Sequence, residues 1–143
     1  MKKQQIVTLI DKAMEERKMA YAPYSGYMVG AALLCDEDEV VCGCNIENAA
    51  YTPSNCAERT AFFKAVSEGR RKFQGIAIVG GHKDAQMPDW SYPCGVCRQV
   101  MEEFCNPEEF LVIVARSKDE YQVYKLGELL PYGFGPKNVK GEK

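Results

Sequence analysis

The sequence predicts an α/β protein of three layers, α-β-α, with a central mixed sheet of five strands. Two observations carry this. Amphipathic helical patterns alternate with short apolar runs in the order α-β-β-α-β-α-β-β-α, which describes one sheet covered by helices on both faces. The runs at 75–80 and 110–115 are apolar at consecutive positions rather than alternate ones, as strands buried on both faces are. With 143 residues, 46% of them hydrophobic, the chain can bury a sizeable core. No internal repeat, low-complexity segment or dividing linker interrupts it, so 1–143 reads as a single domain.

Ile6, Leu9, Ile10, Ala13, Met14 and Arg17 share one helical face, which predicts a helix over 4–18. Ala22-Pro23-Tyr24-Ser25-Gly26 breaks it. Apolar runs at 28–34 and 40–45, separated by Asp36-Glu37-Asp38-Glu39, predict a hairpin with a solvated acidic turn. After a loop at 49–55, Ala57, Ala61, Phe62, Ala65 and Val66 repeat with helical spacing, and Gly69 is placed to cap that helix. The strand at 75–80 leads into a polar loop over 82–93. A further helix over 94–104 ends before Asn106-Pro107. Strands at 110–115 and 121–124, a short helix at 126–130 and a tail rich in glycine and lysine complete the order.

A net charge of -2 gives no long-range attraction to nucleic acid or to anionic membranes. No apolar run approaches the roughly 20 residues of a membrane span. Lys2 and Lys3 could open a signal peptide, but Asp11, Glu15 and Glu16 break up the stretch that would have to be its apolar core. The expectation is a cytoplasmic protein. Seven cysteines, an odd number, argue for reduced thiols or metal ligands over a disulfide framework. Cys35, Cys42 and Cys105 lie in apolar stretches and read as small buried hydrophobes.

Cys56 and the pair Cys94 and Cys97 are different. Both motifs fall where a loop enters a helix, whose free N–H groups and partial positive charge favour thiolate. Cys-x-x-Cys alone is shared by redox motifs and structural zinc sites. A second Cys-x-x-Cys is missing, and Cys42-Gly43-Cys44 has the wrong spacing. Three strong ligands leave a fourth position for water, the mark of a catalytic zinc, whose bound water has a pKa of about 7. Three thiolates around Zn²⁺ leave a net negative charge, so Arg59 or Arg98 is expected to hydrogen-bond sulfur. Glu58 lies about 200° around a helix from Cys56, yet at a first turn pointing end-on at the metal both can reach it. Alone it would be an ordinary first-turn glutamate favoured by the helix dipole. Beside Cys56 it reads as the acid/base. His82 reads as a loop residue.

Three stretches carry a resemblance: Gly43-Cys44-Asn45-Ile46-Glu47-Asn48-Ala49-Ala50-Tyr51, Cys56-Ala57-Glu58-Arg59-Thr60-Ala61, and Pro93-Cys94-Gly95-Val96-Cys97-Arg98-Gln99. Zinc base deaminases have a His-x-Glu motif followed by Pro-Cys-x-x-Cys, with a three-cysteine variant. The chain resembles the short, homotetrameric cytidine deaminases, from the turn at 20–25 to Leu129-Leu130-Pro131. The resemblance implies that Cys56, Cys94 and Cys97 hold Zn²⁺. It implies that Glu58 carries protons from water to pyrimidine N3 and then to the departing amine. Cytidine and deoxycytidine would become uridine and deoxyuridine, a step of pyrimidine salvage. Asn45 and Glu47 are implied to bind the ribose 3′-hydroxyl, and alternate strand residues can meet one ligand. Backbone at Ala57 would meet the base. The implied partner is a nucleoside, with neither nucleic acid nor membrane, in a homotetramer whose sites are shared between subunits.

Two departures stand out. Tyr27 occupies the place where relatives commonly set a phenylalanine against the base. It can still stack, but its hydroxyl needs a polar neighbour. The loop over 82–92 is longer than usual, and Trp90 in it has no assigned role. Phe134 resembles the aromatic that relatives insert into a neighbouring subunit's site. Rival readings are a deaminase of another base or of blasticidin S, a nucleic-acid editing deaminase, and a zinc-stabilised binding module. The Asn45-Ile46-Glu47-Asn48 segment favours a nucleoside with an intact ribose. A strand-editing enzyme would need a basic groove with stacking aromatics. A binding module would leave Glu58 idle.

Overall fold

The computed structural model describes residues 1–141. Its elements follow the expected order: α1 (Lys3–Arg17), β1 (Tyr27–Cys35), β2 (Val40–Cys44), α2 (Ala57–Ser67), β3 (Phe73–His82), α3 (Gly95–Phe104), β4 (Leu111–Ser117), β5 (Glu120–Lys125), α4 (Leu126–Leu129) and α5 (Pro136–Lys140). Two details differ from expectation. The acidic turn between β1 and β2 winds into one 3₁₀ turn, Asp36–Asp38, with Glu37 and Asp38 in the left-handed region at φ 60° and 59°. The glycine- and lysine-rich tail also forms a helix, α5, opened by Pro136, whose fixed φ suits a first helical position.

The sheet order is β2-β1-β3-β4-β5. β3 and β4 run parallel, while β1/β2, β1/β3 and β4/β5 are antiparallel, so the sheet is mixed. A parallel pair requires a crossover, and α3 supplies it. Period-two alternation sorts the central strands between two cores. Ala77, Val79, Ile113 and Ala115 meet the α1 residues Ile6, Leu9, Ile10 and Ala13. Ile76, Ile78, Val112 and Val114 point the other way, onto Ala57, Ala61 and Phe62 of α2 and Cys97 and Met101 of α3. Phe62 is fully buried, with Phe73, Phe104 and Phe110 rings 5.1–6.1 Å away. Its truncation to alanine should cost about 3–5 kcal/mol. The helices bearing the cysteine motifs thus sit on one face of the sheet and α1 on the other.

Gly43 on β2 sets how closely α2 approaches. A Cβ there would stand 2.5 Å from the Ala61 nitrogen and 2.6 Å from the Ala57 oxygen, so only glycine lets the helix lie this low. Gly69, at φ 92°, ends α2 as expected, its N–H bonded to the Val66 carbonyl. All seven cysteines are free thiols. Cys35 is buried in the α2 core, and the half-buried Cys42 and Cys105 pack against the two cores.

Candidate active site

Cys56 and Cys94 are the residues immediately before the first turns of α2 and α3, both with extended backbone. The Cys94 sulfur accepts the N–H of Cys97 at 3.5 Å and so caps α3. Because α2 and α3 pack on the same face, their first turns converge. The sulfurs of Cys56, Cys94 and Cys97 all lie within 4.8 Å of one another, the only such cluster of potential ligands among the described residues. The Cys56 and Cys94 sulfurs are 3.8 Å apart. A tetrahedral zinc with Zn–S bonds of about 2.3 Å has edges of roughly 3.8 Å, so the donor set fits that ion.

Arg59 donates through Nη2 to the Cys56 sulfur at 3.2 Å. Its Nε is buried without a partner. Arg98, the other candidate, does something else. Its Nε donates to the Pro93 carbonyl and its Nη1 to the Leu129 carbonyl, both at 2.7 Å, and neither donor goes to sulfur. Carbonyls from the chain before α3 and from α4 claim it, and it fastens the backbone next to Cys94 instead. Within the cluster the Cys97 thiol hydrogen-bonds Cys56, and this, with Arg59 beside it, favours the thiolate at Cys56. The Cys97 thiol is pushed the opposite way, by the same hydrogen bond and by burial.

Glu58 is 5% exposed, the one charged residue in the buried core of the described residues. Burial pushes its carboxyl up to about 7, with the neighbouring Cys56 thiolate adding to the shift. A carboxyl poised there can accept and release a proton near neutral pH. Glu58 and the cysteines Cys56 and Cys94 open onto a cavity of about 640 Å³, a size suited to a small organic ligand.

Asn45, Glu47, Tyr27 and Ala57 also line this cavity. The strand predicted over 40–45 ends at Cys44, so Asn45 lies just past it and Glu47 further on. Asn45 instead bridges two backbone sites on β1, accepting from Val29 N–H and donating to the Tyr27 carbonyl, each at 2.8 Å. Glu47 accepts the N–H groups of Tyr24 and Ser25 at 3.0 and 3.1 Å, and the Ser25 hydroxyl. The hydroxyl bond leads in holding its carboxyl below the usual range. The Tyr27 hydroxyl finds its polar neighbour in Ser91 Oγ. Phe134 lies apart from the cavity, 62% exposed, with its carbonyl taken by Gln99. His82 closes β3 outside the cavity.

Sequence reasoning missed Trp90, Ser91 and Ser25, all in the cavity wall. The pattern Trp90-Ser91-Tyr92 just before Pro93 was the available signal, since a loop ending on Cys94 must pass the three-thiol cluster.

Helical layers around a mixed sheet, with three thiols and a buried glutamate at two converging helix starts, define a zinc-binding hydrolase of the base-deaminase class. Residues 3–113 match the family described as the cytidine and deoxycytidylate deaminase zinc-binding region. The chain is 45% identical over 131 residues to the cytidine deaminase of Sporosarcina psychrophila, covering 92% of each protein. It is 48% identical over 126 residues to that of Halalkalibacterium halodurans, covering 88% of this chain and 91% of the relative. The crystal structure of cytidine deaminase from Burkholderia pseudomallei superposes with a TM-score of 0.79 at 44% identity, covering 89% of this chain and 97% of that one. The chain belongs to the cytidine deaminase family.

Proposed function

We propose that the protein hydrolyses cytidine and 2′-deoxycytidine to uridine and 2′-deoxyuridine with release of ammonia, a reaction of pyrimidine salvage. The observation that carries this is Glu58, buried beside the three-thiol cluster at the floor of the cavity. Cys56, Cys94 and Cys97 would hold the zinc, which when bound supplies a Lewis acid that makes water ionise near neutral pH. Glu58 takes a first proton from water and delivers it to pyrimidine N3 as oxygen adds to C4. It then moves the second proton from that oxygen to the C4 amine. One proton stays at N3 and the other leaves on ammonia, so the balance closes with one water consumed. A single carboxylate acts first as base and then as acid. Arg59 holds Cys56 and offsets thiolate charge.

Asn45 and Glu47 are assigned to the ribose. Their structural bonds leave capacity for it: Asn45 keeps a second N–H, and Glu47 a remaining lone pair. Tyr27 and Ala57 face the base. Among the lining residues Arg59 is the one cation, and it is engaged with Cys56. A phosphate would meet the ionised Glu47 with no free positive charge, which favours a nucleoside over deoxycytidylate. Zinc analysis paired with an ultraviolet assay of cytidine, deoxycytidine, deoxycytidylate and free cytosine tests the reading. Loss of both nucleosides and sparing of the other two is expected; no turnover of either nucleoside refutes it.

A homotetramer with shared sites is part of the same reading. Phe134 is exposed and outside its own cavity, as an aromatic serving a neighbour would be. No helix of the described residues is long and apolar enough to cross a membrane. Sedimentation giving a monomer would remove the shared-site assignment.

A further inference from the structure

The polar loop after β3, in which Trp90 had no assigned role, is docked on the strand's end. Asp89 N–H bonds the Gly80 carbonyl at 2.7 Å. A Cβ on Gly80 would strike Ser91 Oγ at 2.7 Å, and one on Gly81 would press on Pro88 Cα at 3.0 Å, so the paired glycines form a flush platform for residues 88–91. Arg116, at the end of β4, closes this segment from its other side. Its Nε donates to the Pro88 carbonyl at 3.0 Å, and its guanidinium carbon lies 5.7 Å from the centre of the Trp90 ring. Glu120 takes a further N–H of the same guanidinium at 3.0 Å and fixes its plane. Trp90 and Ser91 line the cavity, and Ser91 in turn bonds the Tyr27 hydroxyl. Arg116 does not itself line the cavity.

We propose that Arg116 is a positioning residue, which sets substrate affinity by holding Trp90 and Ser91 as one fixed wall with Tyr27. This rests on the reading of the cavity as the nucleoside site. The fork and plane of a guanidinium are both in use, one to Pro88 and Glu120, the other against the indole, so lysine cannot replace it. Other anchors, Asp89 to Gly80 and the Tyr92 hydroxyl to Gln122, remain when Arg116 is truncated. The loss is therefore local to residues 88–91, and the starts of α2 and α3 keep their own contacts through Arg59 and Arg98.

The protein has one tryptophan, so Trp90 reports on the wall directly. In the zinc-loaded Arg116→Ala protein, KM for cytidine should rise about tenfold with kcat within about twofold, the mark of lost uniform binding. Acrylamide quenching of Trp90 without substrate should increase at least about twofold as the ring loses its partner. Arg116→Lys should show the same changes, and it carries the test if the alanine variant does not fold. An unchanged KM, a fall in kcat alone, a rise in KM with unaltered quenching, or a lysine variant with wild-type KM each overturns the proposal. Normal wild-type turnover with any of these results removes only this inference. Absence of wild-type turnover removes the active-site reading beneath it.

Discussion

Replacing Gly43 by alanine adds one methyl group between β2 and α2. That carbon would stand 2.5 Å from the Ala61 nitrogen and 2.6 Å from the Ala57 oxygen, where ordinary contact begins near 3.4 Å. The helix must recede by roughly 0.9 Å or the strand must bow by as much, an overpacking cost of about 1–3 kcal/mol. Both backbone atoms belong to the first turns of α2, the part that carries Glu58 and follows Cys56. Cys94 and Cys97 ride on α3 and stay behind. Cys56 and Glu58 are thereby displaced by nearly 1 Å from Cys94 and Cys97, and in the proposed site a misplacement of that size lowers turnover by about 10²-fold. Urea denaturation, bound zinc and kcat on cytidine, measured on the same preparation below its midpoint, test this. An unfolding free energy lowered by the stated amount, with kcat reduced at least about tenfold, is expected. A Gly43→Ala protein with kcat within about twofold of wild type would show that α2 height does not set the site.

Three further outcomes rest on the same geometry. Glu58→Gln should fold and carry zinc while turnover falls between about 10² and 10⁴-fold, the contribution of a positioned acid/base; retained activity in the ultraviolet assay would take the proton shuttle away from Glu58. Arg59→Gln should weaken zinc affinity about 10–100-fold in a chelator competition, because the Cys56 sulfur loses its donor; unchanged affinity would leave Arg59 without that role. Glu47 has a depressed carboxyl pKa, so its stabilising effect is present above the unfolded value of about 4.3 and is lost as pH falls through the folded one. The gap in Tm between wild type and Glu47→Gln should therefore be constant near neutrality and close in acid, and a gap independent of pH would contradict the assignment.

Periodicity placed the sheet and its covering helices, because burial on one or two faces writes itself into neighbouring residues. The three clustered cysteines were legible for a similar reason: their spacing is local to two helix starts. What escaped was set by partners distant in the chain. Arg59 and Arg98 each lie close to a clustered cysteine in sequence, and it takes the Pro93 carbonyl together with the Leu129 carbonyl, 31 residues on, to draw Arg98 away from sulfur. Asn45 looked like a strand residue, yet its amide reaches back to Tyr27 and Val29 as a side-chain splice on β1. Trp90 could not be placed because its position depends on Arg116 and on a glycine platform at the end of β3. The helical turn in the acidic tip depends on left-handed backbone at Glu37 and Asp38, which neither residue type announces.

Cys94 closes the first turn of α3 with the same sulfur that faces the other two thiols. The end of the helix and the metal therefore share one thermodynamic account: whatever frees that sulfur also uncaps the backbone. Loss of the ion becomes an opening event as well as a chemical one, beginning at Gly95 and Val96, which are already exposed. Amide exchange at Cys97 and Arg98 should accelerate on chelation before it does at Val112 or Ile113 in the core.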